Sequence, residues 1–288
     1  MTSHDVVSAV RRITGVKKAG HTGTLDPFAT GVLPVALGEG TKAIQFLDES
    51  CKEYRAVMKL GETTDTQDLT GAVTRISGWR NVTPVVLENV VSRFSGRISQ
   101  LPPMFSALKH NGVPLYRLAR RGVEISREQR EIEIYSLVID CFDLPEVAFT
   151  VACSRGTYVR TLAHDMGAEL GCGAHLVRLR RTMSGPFDLT NAVSLDQLAS
   201  LAGSGEAATI VISPYDALDH LPDLQVNDSG RMKVGHGVVP DADEFSSLAT
   251  APFSSGRFLR ISQGKRLLAV AEMTAGNDQN IRLVRVFN

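Results

Sequence analysis

Residues 20–42 read GHTGTLDPFATGVLPVALGEGTK, and the organisation of the rest of the chain is best understood from them. The stretch is dense in Gly and Thr, and its one Asp, Asp26, is followed at once by Pro27. Pro27 fixes its own φ and biases Asp26 away from the helical region. Gly20, Gly23 and Gly31 permit turns and backbone approaches that a side chain would block. The residues therefore predict a rigid loop that presents one carboxylate to another large molecule. An Asp-Pro dipeptide alone is usually a turn initiator, and an Asx-turn is the plain alternative.

Outside that loop the composition is that of a globular protein. At 288 residues the chain accommodates one large domain, or a large one and a small one. Lys and Arg balance Asp and Glu, so net charge does not point to a nucleic-acid partner, and any such site has to come from local clustering. Cys51, Cys141, Cys153 and Cys172 show no CxxC spacing. They are expected to be reduced thiols of a cytoplasmic protein, with neither a zinc site nor a disulfide framework. There is no G-x-G-x-x-G after a strand and no phosphate-loop pattern, and Gly38-Glu39-Gly40 reads as a turn. No apolar run reaches the roughly 18–20 residues needed to span a bilayer, and no signal peptide opens the chain.

Periodicity supplies the elements. Val6, Val7, Val10 and Ile13 recur at helical spacing, with Ser3 or Asp5 expected near the N-cap. Residues 41–47 suit a helical turn, 54–60 a strand, and the polar run GETTDTQD a loop. Thr83-Pro84 opens a helix that ends before Gly96. Residues 132–139 and 147–153 read as strands. Val159, Leu162, Ala163, Met166 and Leu170 share one face of a helix that Gly171 closes, and Ser194 with Gln197 forms a capping box before a last helix. Residues 257–261, 267–272 and 281–287 are short strand candidates separated by Gly, Asn and Ser turns. The mixture indicates an α+β fold, with a main domain over 1–215 and a small β-rich domain over 220–288.

The loop carries more than this. Residues 20–33 match without a gap the pattern G-H-x-G-T-L-D-P-x-A-x-G-x-L, and they closely resemble the catalytic loop of the TruB-type pseudouridine synthases. Three further segments follow in that family's order: KEYRAVMKLG, PPMFSALKHNGVPLYRLARRG and SRGTYVRTLAHDMG. The resemblance covers about residues 2–200. It implies a mainly antiparallel-sheet catalytic domain with an RNA-gripping insertion over 102–130, and a PUA-like domain at the C-terminal end. Chains of the family normally begin with a strand and a Lys-Pro-x-Gly-x-Thr-Ser segment. This one opens with Met1, Thr2 and Ser3, as if at the end of that segment.

The resemblance further implies isomerisation of uridine 55 in the T-loop of tRNA to pseudouridine, with no metal and no cofactor. The carboxylate would be Asp26, acting as a nucleophile or as a base, kept ionised by Arg160. Tyr54 would stack on the flipped base, Leu179 would wall its other side, and Tyr158 would contact substrate beside Arg160. His21 would fill the space the base leaves, and Lys42 would meet phosphate or support the loop. Each has an ordinary reading: Tyr54 as a core aromatic, Arg160 as a solvated helix residue, His21 as structural. Two basic segments would contact RNA, one through Lys109, Arg120 and Arg121, the other through Arg178, Arg180 and Arg181. A monomer with tRNA as its partner and no obligate protein partner is expected. The competing readings are a guide-RNA-dependent synthase of the dyskerin type and a tRNA-binding or folding chaperone without chemistry.

Overall fold

The computed structural model describes residues 1–247, 256–274 and 280–287. Two compact units result: Met1–Thr24, Leu33–Asp48 and Val193–Asn288 form one, and Leu25–Val32 with Glu49–Ala192 form the other. The boundary expected at 215–220 does not coincide with this division, because residues from both ends of the chain share the first unit.

The second unit is built on a seven-stranded sheet. Its strands are β1 (Thr30–Gly31), β2 (Cys51–Leu60), β3 (Gly96–Gln100), β4 (Arg130–Asp143), β5 (Glu146–Ser154), β6 (Ala174–Ser184) and β7 (Phe187–Asp188). The order is β7-β6-β2-β5-β4-β3, all antiparallel, with β1 pairing parallel to β6. Side chains alternate across a strand, so the apolar positions define an inner face. Tyr54, Ala56, Met58 and Leu60 of β2 are buried, as are Val147, Phe149, Val151 and Cys153 of β5. Helix α1 (Pro84–Arg93), capped by the Thr83 hydroxyl, and helix α2 (Val159–Glu169) contribute to the same core. Leu162 and Met166 of α2 are fully buried, each removing about 1.5–3 kcal/mol worth of apolar surface from water. The outer face of the sheet keeps Arg55, Arg178 and Arg180 exposed.

Helix α2 approaches β6 closely at Gly167. A Cβ there would sit 2.2 Å from the Ala174 backbone nitrogen, nearer than any real contact. Gly167→Ala is therefore expected to lower the free energy of unfolding by about 1–3 kcal/mol, measured by denaturant titration.

Of the polar run expected as a loop after residue 60, Glu62–Thr64 is a short strand pairing Val73–Ile76, and residues 65–68 lie in the loop that joins them. Residues 176–181, LVRLRR, which hold Leu179 and the second basic cluster, lie within β6, next to β2 in the sheet.

In the first unit the helix Ser3–Thr14 is capped by Thr2, whose hydroxyl accepts from the Asp5 N–H while the Asp5 carboxylate takes the Thr2 N–H. The cap itself is Thr2, with Ser3 beside it and Asp5 as its capping-box partner, both near the N-cap as expected. Helix Leu195–Ser204 has the expected Ser194–Gln197 box. It is not the last helix, since Asp228–Gly235 follows. The C-terminal strands form a five-stranded sheet in the order Phe245–Ser247, Asp223–Val226, Phe258–Gln263, Arg266–Thr274, Asn280–Val286. Strand Asp223–Val226 was not anticipated, and the turn expected between the last two strands falls on residues 275–279, outside the described residues. Leu224, Val226, Leu259, Ile261 and Ala271 are buried in this sheet's own core.

Candidate active site

The loop residues Leu25–Val32 belong to the second unit, anchored by Leu25, Phe28 and Ala29 against its core. The Ala29 N–H donates to the Asp26 carbonyl over 2.9 Å, which closes the turn that Pro27 pre-shapes. Gly31 has φ +103°, and a Cβ on it would lie 2.0 Å from the Arg181 carbonyl oxygen. Only glycine lets β1 lie so close to β6, where Val32 N donates to Arg181 O (2.9 Å) and Arg181 Nε donates to Val32 O (2.8 Å). The loop carrying Asp26 is thus bolted to the central sheet.

Asp26 faces Arg160, the second residue of α2. Arg160 Nε donates to Asp26 Oδ2 at 2.8 Å and Nη2 to Oδ1 at 3.1 Å, a two-pronged pairing. Nη1 donates to the Thr66 carbonyl (2.8 Å) and Nη2 to the Phe105 carbonyl (2.9 Å). Asp68 Oδ2 stands 3.4 Å from Nη1. The Arg160 side chain is 3% exposed, whereas that of Asp26 keeps 31% of its surface open. The cation is sealed in and the carboxylate remains reachable.

Burial raises the Asp26 carboxyl above its ordinary value of 3.8, an effect opposed by the charge and hydrogen bonds of Arg160 and reinforced by Asp68. Burial likewise pushes the Tyr54 phenol up to about 12, with Arg181 opposing. Tyr54 is therefore a neutral phenol at physiological pH, suited to contact rather than proton abstraction.

Asp68 is the residue missed by sequence reasoning. Its Oδ1 accepts from the Thr66 hydroxyl (2.7 Å), the Thr70 N–H (2.9 Å) and the Thr70 hydroxyl (2.5 Å), which leaves Oδ2 for Arg160. Within TTDTQDLTG nothing periodic distinguishes it. The one available signal is that a fully buried guanidinium needs more acceptors than one carboxylate provides. The following helix residue, Thr161, donates to the Gln67 side chain at 2.7 Å and ties the same loop to α2.

Leu179 is buried on β6 opposite Ala56, and Tyr54 lies two register positions further along opposite Arg181, so both belong to the inner face. Tyr158 is the N-cap residue of α2, and its backbone is held on both sides by the Gln100 side chain, at 2.8 and 3.1 Å. Asp26, Arg160, Tyr54, Leu179 and Tyr158 all lie in this unit. His21 and Lys42 belong to the other. There Lys42 donates to the Val286 carbonyl over 2.9 Å and pairs with Glu39, which makes it a brace of its own unit rather than a free phosphate ligand.

The basic segments separate under inspection. Lys109, Arg120 and Arg121 are exposed, and the Arg120 guanidinium lies 5.5 Å from the centre of the Tyr116 ring. Arg180 is exposed. Arg178 is also exposed, but it pairs with Glu146 at 2.5 Å. Arg181 does not belong with them: at 1% exposure it is a buried clamp on the loop, because the strand turns it to the inner face. Among the described residues no cluster of His, Cys, Asp or Glu is arranged to hold a metal ion. Among them, too, no helix is long and apolar enough to cross a membrane.

Residues 11–159 match the N-terminal domain of the TruB family pseudouridylate synthases, and residues 160–218 match the tRNA pseudouridylate synthase B C-terminal domain. The chain is 60% identical to tRNA pseudouridine synthase B of Geotalea uraniireducens, covering 100% of this chain and 94% of that one. It is 56% identical to the protein of the same name in Geobacter sulfurreducens, covering 100% and 96%. Among solved structures, a chain of a Cbf5-Nop10-Gar1 complex superposes with a TM-score of 0.77 at 30% identity, over 100% of this chain and 82% of that one.

Proposed function

Because the chain belongs to the TruB family of pseudouridylate synthases, we propose that it isomerises uridine 55 in the T-loop of tRNA, acting without a guide RNA. The observation that carries the reading is the two-pronged Asp26–Arg160 pair, with the carboxylate partly open and the guanidinium sealed. The C1′–N1 bond breaks, the detached uracil turns, and C1′ joins C5; the proton on C5 leaves and N1 gains one. Asp26 acts in its ionised form, either as the nucleophile at C1′ or as the base at C2′. The target base leaves its stack to reach Asp26, with the cost of unstacking repaid by the surfaces that receive it. Tyr54, Tyr158 and Leu179 serve as those surfaces, and His21 fills the gap left in the RNA. Lys109, Arg120, Arg121 and Arg180 supply cations for the RNA backbone. Residues 220–288 act as a PUA-like RNA-binding part, and the protein works in the cytoplasm as a monomer.

The likeness to a chain of a Cbf5-Nop10-Gar1 complex keeps one second reading in play, a synthase that needs a guide RNA and protein partners. Naked tRNA transcript labelled with tritium at C5 decides between the two, since forming the C1′–C5 bond expels that hydrogen. Release by the protein alone, abolished when uridine 55 is replaced by cytidine, is the expected result. Release only after guide RNA and accessory proteins are added would overturn it.

A further inference from the structure

On the outer face of the sheet, away from the buried core, the register places Arg180 of β6 directly opposite Arg55 of β2. Their neighbours in the same cross-strand row are Thr30 of β1, opposite Arg180, and Thr150 of β5, opposite Arg55. Side chains directly opposite on antiparallel strands lie about 4.5–5.5 Å apart at Cβ, and like charges so placed are destabilising. Both arginines are exposed, and among the described residues neither forms a hydrogen bond or an ion pair. Nearby carboxylates are engaged elsewhere. Asp140 accepts from the Thr150 hydroxyl at 2.7 Å, Glu146 pairs with Arg178, and Asp188 accepts from the Thr190 N–H at 2.8 Å. The two guanidiniums line both an open groove of about 730 Å³ and an adjoining hollow of about 370 Å³. Two neighbouring cations that line one open groove, with no carboxylate bonded to either, are a site for a bridging anion.

We propose that Arg55 and Arg180 together hold one backbone phosphate of the RNA, and so fix where the strand lies beside the catalytic loop. The identity of the anion rests on the RNA-modifying reading above. Thr30 is four residues beyond Asp26, so the chain between them spans at most about 14 Å. A phosphate held here therefore belongs to a nucleotide near the target. Arg55 was not among the cations anticipated from sequence, because it stands alone between Tyr54 and Ala56. Only the register brings it beside Arg180.

The test measures binding of a tRNA transcript across a salt series for wild type, for Arg55→Gln with Arg180→Gln, and for Arg178→Gln. The double variant is expected to bind roughly tenfold more weakly at low salt, with the slope of log K against log salt shallower by about one. Arg178→Gln, whose charge already faces Glu146, should change the slope less. A second arm uses transcripts carrying a single neutral methylphosphonate at successive positions. One position should weaken wild-type binding and have no further effect on the double variant. An unchanged slope, or a methylphosphonate penalty that persists in full in the double variant, would overturn the subsite. Without RNA, the double variant should unfold at the same temperature or higher, because a like-charge contact has been removed. A lower midpoint would assign the pair to the fold and count against the proposal. The readout is binding alone, so wild type that fails to release tritium while the slope still falls would refute the synthase reading and leave the subsite standing.

Discussion

Replacing Asp26 by Asn should reduce tritium release from C5-labelled tRNA by roughly 10⁴-fold or more, the scale set by removing a group that acts directly on the reacting atoms. The substitution keeps the shape of the side chain and removes its charge. Asn can still accept one hydrogen bond from Arg160 but cannot serve as the nucleophile at C1′ or as an effective base at C2′. Affinity for tRNA should stay within a few-fold, because the RNA is held largely by other groups and the fold around Arg160 retains Asp68, Thr66 and Phe105 as acceptors. Equal losses of binding and release would show that the substitution had damaged the site as a whole. Full release would remove Asp26 from the chemistry.

The second large effect is expected at Arg160. In Arg160→Met the carboxylates of Asp26 and Asp68 lose their shared cation, and breaking a buried pair on one side costs about 3–5 kcal/mol of stability. The rate should also fall by at least roughly 100-fold, since a misplaced reacting group costs that much even when it is present. The pH dependence separates charge from placement. In the proposed reaction Asp26 works ionised, so activity is expected above its pKa in the folded protein and is expected to be lost as pH falls through it. Burial already sets that value above 3.8, and Arg160 opposes the rise. Removing Arg160 should therefore move the acid limb of kcat/KM to higher pH, while Arg160→Lys, which keeps a cation, should move it less. Folding runs the opposite way: a carboxyl whose folded pKa is raised detracts from stability above that pKa, and the penalty is relieved as pH falls. An acid limb unmoved in Arg160→Met would dissociate the guanidinium from the ionisation of Asp26.

Much of this arrangement was legible because it is local. The Asp26-Pro27 turn, the apolar face of α2 and the Ser194–Gln197 box each depend on residues within a few positions of one another, and their spacing carries the information. Strand β6 shows where such reading failed. Three arginines in LVRLRR suggest a solvated patch, yet a period of two puts Leu179 and Arg181 on one side and Arg178 and Arg180 on the other. Grouping the three by charge alone places Arg181 with the RNA-contacting cations, whereas the period buries it. The contacts to Arg160 from the Thr66 and Phe105 carbonyls were beyond any side-chain pattern, because every residue has a carbonyl and only the fold decides which ones converge. Asp68 combines both difficulties: a polar residue in a polar run, made important by a helix over ninety residues away in the chain.

A guanidinium has five N–H groups, and around Arg160 stand five oxygens: both of Asp26, one of Asp68, and the carbonyls of Thr66 and Phe105. It resembles a metal ion whose coordination sphere is already full. Such a centre can organise its ligands but cannot take on a new one without giving one up. Of the two carboxylates in the set, Asp26 is the open one, with 31% of its side chain exposed against 6% for Asp68, and on the proposed reading substrate meets the cation through it. The other ligands come from two separate segments, the loop holding Thr66 and Asp68 and the one holding Phe105, so a shift in either is transmitted to the same carboxylate.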